Sequence, residues 1–154
     1  MRVILPGSYD PITLGHLEII RQASEKHEEV FAVAFINPNK KYRFTAEERV
    51  KMLSLATEGL SNVRVGYSSG RVVDYMREHG IEKIVKGYRN EYDLEYERAQ
   101  ADYNKKHGGY ETELIKCPKE MENISSTLAK EAIDCHKELC GILPPAVIEF
   151  IKKH

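Results

Sequence analysis

The chain has 154 residues, a length that predicts one domain over residues 1–154 and lets folding hide about 70% of the unfolded chain's surface. Apolar residues make up 42% and charged residues 31%, a globular balance that argues against disorder, collagen-like repeats and a disulfide-stapled miniprotein. Twenty-three Lys and Arg face 24 Asp and Glu, a formal charge of -1; no global basic field is available to hold nucleic acid or an anionic membrane, so any anion site must be local.

The apolar run at the start, Val3-Ile4-Leu5, is far too short for a signal peptide, and no later stretch approaches the ~20 apolar residues of a membrane span, so a cytoplasmic protein is expected. Cys117, Cys135 and Cys140 are odd in number and read as reduced thiols used in packing. Val3 to Leu5 predicts a strand closed by Pro6-Gly7. After a loop, Leu14 to Lys26 predicts a helix with Leu17, Ile20 and Ala23 on one face. Val30 to Ile36 is apolar without helical period, as a strand covered on both faces should be, and implies a parallel sheet. Thr45 and Glu48 form a capping box before a helix through Met52, Leu55 and Ala56.

Val63-Arg64-Val65 predicts a third strand, and Val72 to Glu78 a helix closed by His79-Gly80. Ile84-Val85 predicts a fourth strand, with a loop opening at Gly87. A charged helix is expected from about Glu91 to Lys106, with Leu94, Ala99 and Ala101 as its apolar positions, ending near Gly108-Gly109. Thr112 to Cys117 reads as a fifth strand. The tail predicts a loop from Pro118 to Asn123, a helix from Ser125 to Lys137 and a last short helix opening at Pro144-Pro145. Five strands alternating with helices predict a doubly wound α/β fold with a parallel five-stranded, Rossmann-like sheet, whose ligands bind beyond the carboxyl ends of the strands.

The loop from Pro6 to His16 leaves the first such end. Gly7 permits a tight backbone path, Ser8 offers a hydroxyl, and Gly15-His16 stands in the first turn of a helix, where unpaired N–H groups and the dipole favour an anion. No Lys-Ser or Lys-Thr follows the glycines and there is no GxGxxG, so P-loop and dinucleotide-binding patterns both fail.

Gly7-Ser8-Tyr9-Asp10-Pro11 with Gly15-His16, and Thr13 between them, resembles the G-[ST]-[FY]-D-P-x-[HT]-x-G-H motif of the nucleotidyltransferase superfamily, and Ile124-Ser125-Ser126-Thr127 resembles that superfamily's ISS[ST] motif. Asn37 to Lys41, Phe44 to Arg49, Lys86 to Asn90 and Asp93 to Glu97 are similar to bacterial phosphopantetheine adenylyltransferase, nearly end to end. The resemblance implies transfer of AMP from ATP to 4'-phosphopantetheine, with loss of pyrophosphate, in coenzyme A biosynthesis. It implies His16, Lys40, Arg89 and Ser126 as catalytic groups. ATP would be bound by Ser8, Tyr9, His16, Gly87, Tyr88, Arg89, Glu97, Met121, Ser125, Ser126 and Thr127, and the acceptor by Ser8, Lys40, Val72, Lys86 and Asn104. It further implies Mg2+ bridging phosphates mostly through water, with no metal held by protein ligands alone, and a homo-hexamer.

Each of these residues also has a plainer reading. The first loop could be an ordinary helix start, Ser125 an N-cap, Lys40-Lys41 a solvated turn, and Glu95 and Glu97 an exposed face beside Arg98. Cys135-His136 with Cys140 lacks the paired spacing and fourth ligand of a structural zinc site, and His27, His79, His107 and His154 read as surface residues. Lys86 stands where many members of the family carry Arg, Met121 where an aromatic is frequent, and Gln100 and Asp102 make the pantetheine-facing helix more polar. Two other functions stay open: a catalytically idle nucleotide-binding regulatory protein, and a nucleotidyltransferase with another phosphate acceptor.

Overall fold

Alternation of short apolar runs with amphipathic stretches gives, in a computed structural model describing residues 1–154, five strands and six helices. In chain order these are β1 (Arg2–Gly7), α1 (Leu14–Lys26), β2 (Glu29–Phe35), α2 (Ala46–Ala56), β3 (Val63–Ser68), α3 (Val72–His79), β4 (Lys83–Tyr88), α4 (Glu91–Gly108), β5 (Thr112–Lys116), α5 (Ser126–Asp134) and α6 (Pro145–Lys153). A short 3-10 turn, Lys119–Met121, precedes α5. All strands are parallel, in the order β3-β2-β1-β4-β5.

The period of two along each strand decides which helices cover which face. Val3, Leu5, Val30, Ala32, Ala34 and Val85 point into one core with Ile19, Ile20 and Ala23 of α1, Met52 and Leu53 of α2, Ala129 and Ala132 of α5, and Val147 of α6. Ile4, Phe31, Val33 and Ile84 point the other way, against Met76 of α3 and Ile81. The sheet is therefore covered on both sides, as the apolar run in β2 requires.

Local chemistry sets the ends. Thr45 accepts from the Glu48 N–H at 3.1 Å and Glu48 accepts from the Thr45 N–H at 2.9 Å, the reciprocal box that the spacing predicts. Gly80 closes α3 at φ 64, left-handed backbone that costs a glycine little.

Several expectations need correction. β4 runs on through Gly87 and Tyr88, where the sequence predicts a loop. α5 stops at Asp134, not Lys137, because His136 turns to φ 54. On α4 only Leu94 is buried, and Ala99 is exposed. Cys117 packs in the core, but Cys135 and Cys140 are exposed, outside the core. His27 is half-buried, with Nε2 3.2 Å from Glu113, whereas His79, His107 and His154 are exposed.

Candidate active site

β1 and β2 pair along their length, from Arg2 with Glu29 to Gly7 with Ala34. β1 meets β4 only at Val3–Lys83 and Ile4–Ile84, so beyond these residues the two strands part toward their carboxyl ends. The topological switch falls at the same place, since the chain leaves β1 for β2 on one side and returns as β4 on the other. A cavity of about 390 Å³ fills the gap, lined by the first loop, the end of β4, α4 and the start of α5.

His16 is built into the wall of this cavity by a cap. Thr13 is the N-cap of α1; its N–H donates to His16 Nδ1 at 3.0 Å, and its Oγ1 accepts from the His16 N–H at 3.3 Å. An imidazole thus occupies the place that Glu or Gln takes in a capping box. A backbone N–H can only donate, so Nδ1 is unprotonated and the ring proton sits on Nε2. Burial, then the charges of Lys86 and Arg89, push His16 down to about 4. At neutral pH it is an uncharged donor.

The helix end itself offers less than the sequence reading supposed: the Leu14 N–H is taken by Ile142 O at 2.9 Å, leaving Gly15 as the open donor of the first turn. Tyr9, at φ 49, is buried with its hydroxyl donating to Leu5 O at 2.8 Å. It presents a ring edge to His16 and no free hydroxyl.

Three cations converge on the same gap. Lys40, from the turn after β2, donates to Ser8 Oγ at 3.0 Å. Lys86, on β4, reaches across the parted strands to donate to Pro6 O at 3.2 Å, with Glu97 Oε1 3.6 Å away. Arg89 donates through Nε to Asp93 at 2.9 Å and through Nη1 to Ile124 O at 3.5 Å, tying the end of β4 to the start of α5. Glu97 is no solvated face residue, because its Oε2 is buried without a partner and burial raises its pKa against the pull of Lys86.

At the start of α5, Ser125 accepts from the Leu128 N–H, and the Ser126 hydroxyl donates to Pro11 O at 2.9 Å. The N–H groups of Ser126 and Thr127 have no protein partner. Gly87, Tyr88, Met121, Ser125, Ser126 and Thr127 all line the cavity. Val72 and Asn104 do not. They line a second cavity of about 620 Å³, which shares Pro6, Gly7, Ser8, Lys40, Lys86, Tyr96 and Glu97 with the first.

Two carboxylates that stand within the sequence motifs, but with no role assigned to them there, position this set. Asp93 orients Arg89 by accepting from its Nε and its backbone N–H. Asp10, 2% exposed, accepts from the N–H groups of Arg43 and Phe44 at 2.8 and 2.9 Å and lies 3.7 Å from Lys130. Its place between Tyr9 and Pro11 was the available signal, since Asp before Pro commonly organises a turn.

A parallel sheet parted at its switch point, with cations and a neutral imidazole in the gap, defines a nucleotidyltransferase-type protein, and the cytidylyltransferase-like family model matches residues 4–132. A phosphopantetheine adenylyltransferase from Corynebacterium efficiens is 40% identical over 154 residues, covering 99% of this chain and 97% of that protein. One from Thermobifida fusca is 36% identical over 98% of this chain and 92% of its own length. The chain belongs to the phosphopantetheine adenylyltransferase family. A solved structure from Vibrio parahaemolyticus, assigned provisionally as a nicotinate-nucleotide adenylyltransferase, shares the fold at a TM-score of 0.69 and 18% identity, over 99% of this chain and 91% of that one.

Proposed function

We propose that the protein transfers AMP from ATP to 4'-phosphopantetheine, giving dephospho-coenzyme A and pyrophosphate. The observation that carries this reading is the shared wall of the two cavities: Ser8, Lys40 and Lys86 face both, so two phosphate-bearing ligands can meet across one set of cations. An oxygen of the acceptor phosphate attacks the α-phosphorus, the bond from that phosphorus to the bridging oxygen breaks, and pyrophosphate carries off the electron pair. Such a transfer calls for positioning and charge neutralisation and for no covalent nucleophile.

Ser8 and Lys40 hold the acceptor phosphate, Lys86 stands at the boundary, and Val72 and Asn104 line the path of the pantetheine arm. His16 donates through Nε2 to the ATP phosphates. It adds no charge there but costs no reorganisation, because Thr13 already fixes its ring. Arg89 and the open N–H groups of Ser126 and Thr127 take the β- and γ-phosphates. Tyr9, Gly87, Tyr88, Glu97, Met121 and Ser125 shape the nucleotide side.

Magnesium enters with the substrate as MgATP, carrying its own waters. A homo-hexamer accords with the exposed Tyr92 of α4, at 82%. Three free cysteines suit the reducing cytoplasm.

The test is pyrophosphate release from MgATP with 4'-phosphopantetheine, glycerol 3-phosphate or nicotinamide mononucleotide in separate reactions. Release with phosphopantetheine alone is expected. Release only with another acceptor would overturn the acceptor assignment, and release with none would leave a nucleotide-binding protein.

A further inference from the structure

Lys40 rides on an exposed turn, yet its ammonium is held on Ser8 Oγ at 3.0 Å. A long side chain on a solvated turn keeps such a place only if the turn and its target are themselves held. Two residues hold them: Arg49, outside both cavities, and Tyr42, which lines the second. Tyr42 accepts the Asn37 N–H on its hydroxyl at 2.7 Å and donates to Phe35 O at 3.4 Å, closing the turn that carries Lys40. Arg49, on α2, lies with its guanidinium carbon 3.9 Å from the centroid of the Tyr42 ring, and its Nη1 donates to Ser8 O at 3.0 Å.

Arg49 is 2% exposed, its Nε has no partner, and no carboxylate pairs with it. A buried guanidinium without a counter-ion is costly, so stability alone is a poor reason for it. Its planar fork does what a lysine could not: one face stacks on Tyr42 while one edge reaches the Ser8 carbonyl. The two loops are thereby fixed to each other from below.

We propose that Arg49 and Tyr42 form a positioning unit that sets Lys40 against Ser8 for the acceptor phosphate. The proposal rests on the assignment of Ser8 and Lys40 to that phosphate. Arg49 lies outside both cavities, and Tyr42 lines the second; both act on the phosphate through the Ser8–Lys40 pair, and that predicts non-additivity.

The experiment is a pair of double-mutant cycles, Arg49→Lys and Tyr42→Phe, each alone and with Lys40→Ala, read as dissociation constants for 4'-phosphopantetheine and for inorganic phosphate. With Lys40 present, Arg49→Lys weakens both ligands about tenfold and Tyr42→Phe by a smaller factor; in the Lys40→Ala background each has less than about a twofold effect. Equal factors in the two backgrounds would overturn the proposal, since a purely structural role gives additive losses. Should Arg49→Lys fail to fold, the Tyr42→Phe cycle read with inorganic phosphate decides alone, since Tyr42 also lines the second cavity. A crystal structure of either variant should show the Lys40–Ser8 contact opened; the contact retained would also contradict the proposal. Wild-type turnover reports separately on the functional reading, and the phosphate cycle stands whichever acceptor is used.

Discussion

Replacing His16 by Ala removes one preorganised donor and should lower turnover by about 10²-fold or more while circular dichroism stays unchanged; a fall below tenfold would take His16 out of the reaction. The same residue makes stability depend on pH. Its folded pKa of about 4 lies below the ordinary 6.5, so the unfolded chain takes up a proton on this residue between those values while the folded one does not. Its contribution is full above pH 6.5 and is lost as pH falls toward 4. The melting-temperature gap between wild type and His16→Ala should therefore narrow from pH 7 to pH 5, and parallel profiles would refute the neutral imidazole. That His16, Lys40 and Arg89 line one cavity was legible in the sequence through the family resemblance of the motifs that carry them. The roles of Asp10, Asp93 and Arg49 were not, because these residues work on backbone amides, a neighbouring guanidinium and a carbonyl, partners that only the fold supplies.

Among the elements, the contact of β4 with α1 shapes the cavity edge. A Cβ on Gly87 would sit 2.7 Å from Ile19 Cγ1, in a buried side chain that cannot yield freely. Gly87→Ala should cost about 1–3 kcal/mol in chemical denaturation and weaken ATP binding by pushing α1 from β4; a neutral result would mean that the helix shifts at no cost. Thr45→Ala, which removes a cap far simpler in kind, should cost about 1 kcal/mol and leave ATP binding unchanged. Periodicity and caps made the element order readable, α1 and the Thr45 box above all. The length of α5 was hidden, because His136 takes the left-handed turn usually given to glycine. The gap between β1 and β4 was hidden as well: pairing between strands distant in sequence leaves no local pattern.

At the scale of the molecule, a formal charge of -1 coexists with Lys40, Lys86 and Arg89 gathered at one gap. At the proposed ATP site attraction is local and partly open to solvent, and raising NaCl from 50 to 300 mM should weaken ATP binding roughly several-fold. An affinity indifferent to salt would point to recognition through the base instead. In the proposed function, the architecture brings two phosphates to one wall and holds them in line, with no side chain forming a bond to the nucleotide. The stereochemical course at the α-phosphorus tests this most directly, using ATP made chiral at that atom with sulfur and phosphopantetheine as acceptor. A single in-line displacement predicts inversion. Retention would require a covalent nucleotidyl-enzyme and would contradict the account.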